Sequence, residues 1–323
     1  MGNDLGGGQV ETTRIGVIGT GSIARRRMEQ FTDHPSAEVV AVVSRSLDSA
    51  REVSDEFGAQ AFDSWQAMLA DDAIDAVAIA TPNTQHFEQT LAALEHGKHV
   101  SVEYPLCQTL EEAGALKAAA DARGLVLHHG LNVRSEAIYL AALGALPAIG
   151  EPVAMHVTYY SDSKWYATPE LVGDMFLALH IHFIDYARGF FGEVTALTAA
   201  THEAGSDASF RHSGVVLLEH KRCPAVQIEF GMGYPVCPGY SFHVMGTDGL
   251  LKMSGGEVTL ITAEGDRAIE LSEQDDLHAD SNNFVARIAE GAEPLRDWDD
   301  MTRTMALCLD CTRAARTGVK IAY

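Results

Sequence analysis

Four side chains have types and positions suited to handling a proton beside a bound ligand: Tyr104, His180, His182 and Asp185. A phenol ionises near pH ~10 and an imidazole near ~6.5, so the phenol is a donor at neutral pH and the imidazole is the group that titrates. Tyr104 stands in Glu103-Tyr104-Pro105, directly after the apolar run Lys98 to Val102. His182 and Asp185 fall on a segment that opens at Gly173-Asp174, with Asp174 in place as an N-cap. Regular helical spacing puts Ala178, His182 and Asp185 on one face. His180 is two residues from His182, so their rings diverge and a metal shared between them is not expected.

A phosphate-binding turn precedes them. Residues 14–19, Arg-Ile-Gly-Val-Ile-Gly, form a short apolar run ending in glycine, as a buried strand does. Gly19-Thr20-Gly21-Ser22-Ile23-Ala24 follows, and then a charged helical stretch. In a G-x-G-x-x-A turn the first glycine permits the bend and the second lets a pyrophosphate reach the backbone. The alanine lets helix and strand pack closely. The helix N-terminus, Ser22 and Ile23 included, presents free N–H groups and the positive end of its dipole to phosphate. The second strand, Glu38 to Val43, ends in Ser44-Arg45-Ser46. No carboxylate stands there to meet a ribose 2′-hydroxyl, whereas two hydroxyls and a guanidinium suit a 2′-phosphate. NADP(H) is therefore favoured over NAD(H). A further buried run, residues 76–83, brings Thr81, Pro82 and Asn83 to a strand's carboxyl end, where open α/β sheets bind ligands. His86, on the first turn of the next helix, reads as a helix-end hydrogen-bonding group at the margin of the cofactor site, and Glu103 closes the following strand.

The first 130 residues thus alternate strands and helices, as a doubly wound parallel sheet does. Residues 131–323 differ. A helix runs to about Leu146, then strand-like runs start at 153, 194, 213, 225, 240, 250 and 258, punctuated by glycine and proline. Consecutive strands without helices between them indicate an open, mostly antiparallel sheet. Helices resume at 279–290 and 299–316. The polar loop 161–169 overhangs the site and carries Lys164, a possible substitute ammonium, and Trp165, suited to lining a flat substrate.

Composition sets limits. With 323 residues, 46% of them hydrophobic, the chain has room for two globular domains. A formal charge of −22 argues against nucleic acid and against an anionic membrane surface. No run is long enough for a transmembrane helix. The glycine-rich residues 1–12 read as a mobile tail. Five cysteines point to a reducing, cytoplasmic setting, and Cys308 and Cys311 follow the helical spacing of a core.

The order IGVIGTGSIA, ATPNTQH, HGKHVSVEYPL, GLNVR and HIHFID resembles the GFO/IDH/MocA family of NAD(P)-dependent oxidoreductases over nearly the whole chain. That resemblance implies a Rossmann domain followed by a substrate domain whose sheet builds homodimers or homotetramers. It also exposes two departures. Where the family motif reads E-K-P this chain has Glu103-Tyr104-Pro105, an E-Y-P as in biliverdin reductases. Where the family has D-x-G-x-H-x-x-D, this chain keeps His182 and Asp185 but carries Ala178 and His180. The resemblance places His180 and Asp185 on the substrate side, which the loop residues Lys164 and Trp165 overhang, and implies that the last helix, about 299–316, packs back on the first domain. Without the lysine and the aspartate, the expectation is an NADPH-dependent reductase in which Tyr104 polarises a small-molecule acceptor and His182 supplies the proton. The acceptor would be an imine, a conjugated pyrrole-type system or an unusual carbonyl. A sugar or polyol dehydrogenase, or a non-catalytic NADP(H) sensor, are the alternatives.

Overall fold

Strand β1 (Thr13–Ile18) is buried on both faces, as its unbroken apolar run requires, and it forms the centre of a six-stranded parallel sheet. The computed structural model describes residues 12–163, 168–205, 210–236, 239–272 and 276–323. On one side of β1 lie β2 (Ala37–Val43) and the short β3 (Gln60–Phe62). On the other lie β4 (Ala76–Ile79), β5 (His99–Val102) and β6 (Leu127–His129). The order 3-2-1-4-5-6 reverses direction between β1 and β4, and a ligand crevice opens outside the strand ends at such a switch point. The crossovers are α1 (Ser22–Asp33), α2 (Leu47–Phe57), α3 (Trp65–Leu69), α4 (His86–Glu95) and α5 (Leu110–Asp121). Thr109 and Glu112 close α5 with a reciprocal capping box.

After α6 (Ala137–Ala145), a second sheet begins with β7 (Pro152–Ser161). The short α7 (Pro169–Val172) and a wide π-type turn, Phe176–His180, lead into α8 (Ile181–Phe191). The remaining strands are β8 (Val194–Ala204), β9 (Arg211–His220), β10 (Val226–Met232), β11 (Tyr240–Gly246), β12 (Gly249–Ser254), β13 (Glu257–Thr262) and β14 (Gly265–Ile269). Then come α9 (Asp276–Ala289), α10 (Trp298–Thr317) and the two-residue β15 (Ile321–Ala322). The nine strands are antiparallel except that β7 and β10 run parallel at the centre. One face is covered by helices and holds Ile228, Phe230, Phe242 and Leu251. The other stays open and leaves Val153, Leu217 and Met245 exposed. α10 lies on β8 and α8 and touches α5, while α9 packs against α1 and β1. The sequence reading missed β3, β14 and β15, which are short or polar and carry no apolar run.

Candidate active site

Two glycines shape the phosphate end of the crevice. Gly19 has φ +127°, and a Cβ there would stand 2.4 Å from the Ala80 carbonyl, so any side chain would force the β1 and β4 ends apart. A Cβ on Gly21 would meet nothing within 4 Å. The backbone there is bare to the crevice, as close approach by a pyrophosphate requires. Helix α1 begins at Gly21 with no side-chain cap and no acidic residue in its first turn, which leaves its N-terminal N–H groups for a ligand. These features border a cleft of about 1120 Å³ that runs from β2 and β3 to Tyr104. Gly19, Gly21, Ser22, Ile23, Ser44, Arg45, Thr81, Pro82, Asn83, Glu103 and Tyr104 all line it. The volume and the bare helix end fit a dinucleotide. Bound there, it would lay its phosphates on residues 19–23, its adenosine by Arg45 and its nicotinamide, the source of a hydride, toward Tyr104.

Several residues do structural work at the margin. Ser46 caps α2 by accepting from the Ser49 amide at 3.3 Å, and it does not line the cleft. His86 is fully buried, with Nδ1 2.7 Å from the Pro105 carbonyl and Nε2 3.0 Å from that of Thr81. It ties the β4 and β5 ends together and does not face the cleft. Asn83 is buried and donates to the Val172 carbonyl, holding α7 over the cleft mouth. Thr81 donates to Gln89 Oε1 at 2.6 Å. Glu103 is held by Arg27 of α1, whose Nε donates to its Oε1 at 2.7 Å. Arg27 also pairs with Asp280 of α9 at 2.7 Å. Although burial alone would raise the Asp280 pKa, His128 and Arg27 bring it down to about 2, so this network stays ionised.

At the far end the rings of Tyr104 and His182 meet edge to face, centroids 4.2 Å apart. The Tyr104–Pro105 peptide is cis. His182 Nδ1 lies 3.2 Å from the Leu179 carbonyl, so that nitrogen carries the proton and donates it, leaving Nε2 as the acceptor. Burial lowers the His182 pKa, more than the Leu179 carbonyl and Asp185 raise it, and the resting ring is neutral. Leu171 and Ala178 close the cleft here. Ala178 belongs to an apolar cluster with Val172, Met175, Leu179 and Met232, against which Tyr159 packs. Of this cluster Ala178 is the member that lines the cleft.

The structure sets His180 and Asp185 apart from this cleft. His180 is fully buried, its ring 3.6 Å from that of Phe230, and neither nitrogen has a hydrogen-bond partner. Asp185 is fully buried among Arg134, Arg296 and Thr304. The cause lies in the π-type turn at 176–180, which rotates the register between Ala178 and α8. Ala178 lines the cleft, His182 stands behind Tyr104 against its ring, and Asp185 turns into the interior. Lys164, Trp165 and residues 1–11 lie outside the described residues. Four lining residues, Asp63, Ser64, Trp65 and Gln66, escaped the sequence reading. Their signal was the third parallel strand, whose carboxyl end also faces the crevice, but three residues of Gln-Ala-Phe betray no strand.

A crevice of this shape over a doubly wound sheet, with a bare helix N-terminus at one end and Tyr104 at the other, is that of a nucleotide-dependent oxidoreductase. The sequence pattern of the oxidoreductase family with an NAD-binding Rossmann fold matches residues 13–131, and that of the GFO/IDH/MocA C-terminal domain matches residues 141–252. The chain belongs to the GFO/IDH/MocA family of NAD(P)-dependent oxidoreductases. It is similar to 1,5-anhydro-D-fructose reductase of Ensifer adhaerens, 29% identical over 94% of this chain and 97% of that one. It is also similar to dTDP-3,4-didehydro-2,6-dideoxy-alpha-D-glucose 3-reductase of Actinomadura kijaniata, 27% identical over 96% of each. Among solved structures, biliverdin reductase of Synechocystis sp. PCC 6803, in complex with biliverdin and NADP+, shares the fold. Its TM-score is 0.86 at 24% identity, over 94% of this chain and 99% of that one. Among the described residues, no helix is long and apolar enough to cross a membrane, and no group of three or more His, Cys, Asp or Glu side chains could hold a metal ion.

Proposed function

We propose that the protein is an NADPH-dependent reductase of a small, flat, conjugated acceptor: an imine, a pyrrole-type system or an unusual carbonyl. The observation that carries this reading is the Tyr104–His182 ring contact at the apolar end of the nucleotide cleft. Tyr104 orients the acceptor and polarises it by donating from its hydroxyl. Neutral His182 takes up a proton at Nε2 and passes it to the reduced product, so reductive turnover rises only as pH falls below ~6.5, since burial holds the ring's pKa under that value. The apolar wall about Ala178 excludes water from the acceptor.

Tyr104→Phe and His182→Ala are each expected to lower kcat by about 10²-fold or more while NADPH affinity stays within about threefold. Unchanged turnover in both variants would remove the pair from the mechanism. The two sugar reductases among the relatives support a second reading, a sugar or polyol oxidoreductase at the same site. A panel of sugars, inositols, cyclic imines and linear tetrapyrroles separates the two, and the first reading loses if only the sugars turn over. NADPH binding with no acceptor found and a protein partner recovered would favour a non-catalytic sensor.

For the cofactor, Arg45 is exposed at the adenosine end, and Ser44 shares a hydrogen bond with Thr20 at 3.1 Å. Arg45→Ala is expected to weaken NADPH about tenfold and to leave NADH within about threefold. Asp63 lines the same end and is the residue that would favour NADH. Equal losses for the two coenzymes would argue against a 2′-phosphate contact. The open face of the second sheet is read as the surface through which copies associate into dimers or tetramers, and light scattering on the purified protein tests it.

A further inference from the structure

A second cavity, of about 530 Å³, opens between β6, the end of α5, α9 and the first turn of α10. The cofactor reading does not use it. Most of its cations are spent. Lys117 pairs with Asp121, and Arg134 and Arg296 each pair with both Asp185 and Asp300. Arg287 is different. It is half-buried, and no carboxylate among the described residues lies within ion-pairing distance. Its Nη1 donates to the Leu127 carbonyl at 3.1 Å and faces His128 Nδ1 at 3.4 Å. His128 is anchored on its other side, with Nε2 2.9 Å from Asp280 Oδ1. The N–H groups on Arg287 Nε and Nη2 meet no described acceptor. Beside it, His129 has a buried Nδ1 with no hydrogen-bond partner, the kind of orphan that a native interior rarely keeps without a reason. The rest of the wall mixes apolar side chains, Leu131 and Trp298 among them, with Asn132, Ser135 and Asp297.

We propose that this cavity binds a small organic carboxylate with an apolar or aromatic body. The carboxylate sits on the open fork of Arg287, and the body lies against Leu127, Leu131 and Trp298. Glu293 acts on this guanidinium only from beyond ion-pairing distance, and the planar fork of Arg287 matches a carboxylate in two parallel hydrogen bonds. The volume is within the range of small-molecule pockets. The site also answers an electrostatic problem. Burial lowers the Arg287 pKa, and a bound anion would offset that cost. His129 is held neutral, its pKa lowered to about 3 by burial and by the neighbouring His128 and Arg296, so it adds no second charge.

The test is calorimetric titration of the intact chain, saturated with NADPH so that the cofactor cleft is filled. The probe is benzoate, and neutral benzamide is the comparator. The expected result is one saturable benzoate site with a dissociation constant of roughly a millimolar or below, and no matching benzamide signal. Arg287→Met is expected to weaken benzoate at least ~10-fold, Arg287→Lys to weaken it less, and both to bind NADPH normally, which shows that they fold. Trp298→Ala should weaken benzoate without affecting NADPH. The proposal is overturned if benzoate does not saturate by about 10 mM, if benzamide binds as well, or if NADPH-competent Arg287→Met binds benzoate like the parent.

Discussion

Lowering the pH from about 7.5 to about 5 is expected to move the urea midpoint sharply downward, with the loss beginning near 6.5 rather than near 4, where carboxylates titrate. The cause is a set of buried histidines held neutral. Burial lowers the pKa of His86, His180, His182, His212 and His220, and it lowers His129 to about 3. Above ~6.5 neither the folded nor the unfolded chain protonates these rings, so they do not affect the balance. Below that value the unfolded chain binds protons that the folded chain refuses, and stability falls until the folded pKa is reached. Each such ring contributes about 1.4 kcal/mol per pH unit. His129 alone therefore costs about 2 kcal/mol between pH 6.5 and 5. His180, lowered well below its ordinary value by burial, acts in the same direction. The His129 cost alone is a sizeable part of an ordinary domain's net stability of about 5–15 kcal/mol. Asp280, at about 2, acts in the same direction but only below its unfolded value of ~3.9. His180→Leu isolates one term. The ring has no hydrogen bond to lose and packs on Phe230, so the variant should hold its stability at neutral pH and show a shallower acid slope. A midpoint that stays level between pH 7.5 and 5 would show that these rings are solvated or protonated in the folded protein.

The first domain was legible because its chemistry is local. The glycines at 19 and 21, the apolar runs at 14–19 and 76–83 and the helix start at Ser22 sit within a few residues of one another, and the physical demand on each is met by its own residue type. Tyr104 was legible for the same reason, since it follows a buried strand directly. The helix carrying His182 was only half legible. Helical spacing from Ala178 to Asp185 assumes an unbroken 3.6-residue period, and the chain instead takes a π-type turn at Phe176–His180. No residue in Phe-Leu-Ala-Leu-His announces that turn. It comes with the burial of Phe176 and His180 against Phe230, which arrives from β10 more than 45 residues later. Asp63 and Trp65 were hidden because β3 is too short for periodicity to register. The second cavity was invisible, since Arg287, His129 and Trp298 come from three distant segments.

The displaced helical register makes Asp185 the sharpest test of how far a motif match carries a role. By spacing it accompanies His182 and would meet the substrate. In the fold its carboxylate accepts from Arg134 Nη2 at 2.8 Å, Arg296 Nη1 at 2.6 Å and Thr304 Oγ1 at 2.8 Å, with no exposure to solvent. Arg134 and Arg296 also reach Asp300, whose second oxygen pairs with Arg188 at 2.9 Å. With Glu193, which pairs with Arg188 at 2.7 Å, three carboxylates thus balance three guanidiniums, and removing Asp185 leaves excess positive charge in the interior. Breaking a buried ion pair from one side costs about 3–5 kcal/mol. Asp185→Ala is therefore expected to lose about that much in urea unfolding, and Asp185→Asn, which keeps the oxygen but not the charge, somewhat less. The folded fraction of each should keep KM for NADPH and for the acceptor within about threefold, because no atom of Asp185 reaches the cleft. A substrate contact would give the opposite pattern, a large rise in KM with unfolding unchanged. That outcome would mean that α8 turns its Asp185 face toward the cleft when ligand binds, and that the arginine cluster is the resting position of a movable helix.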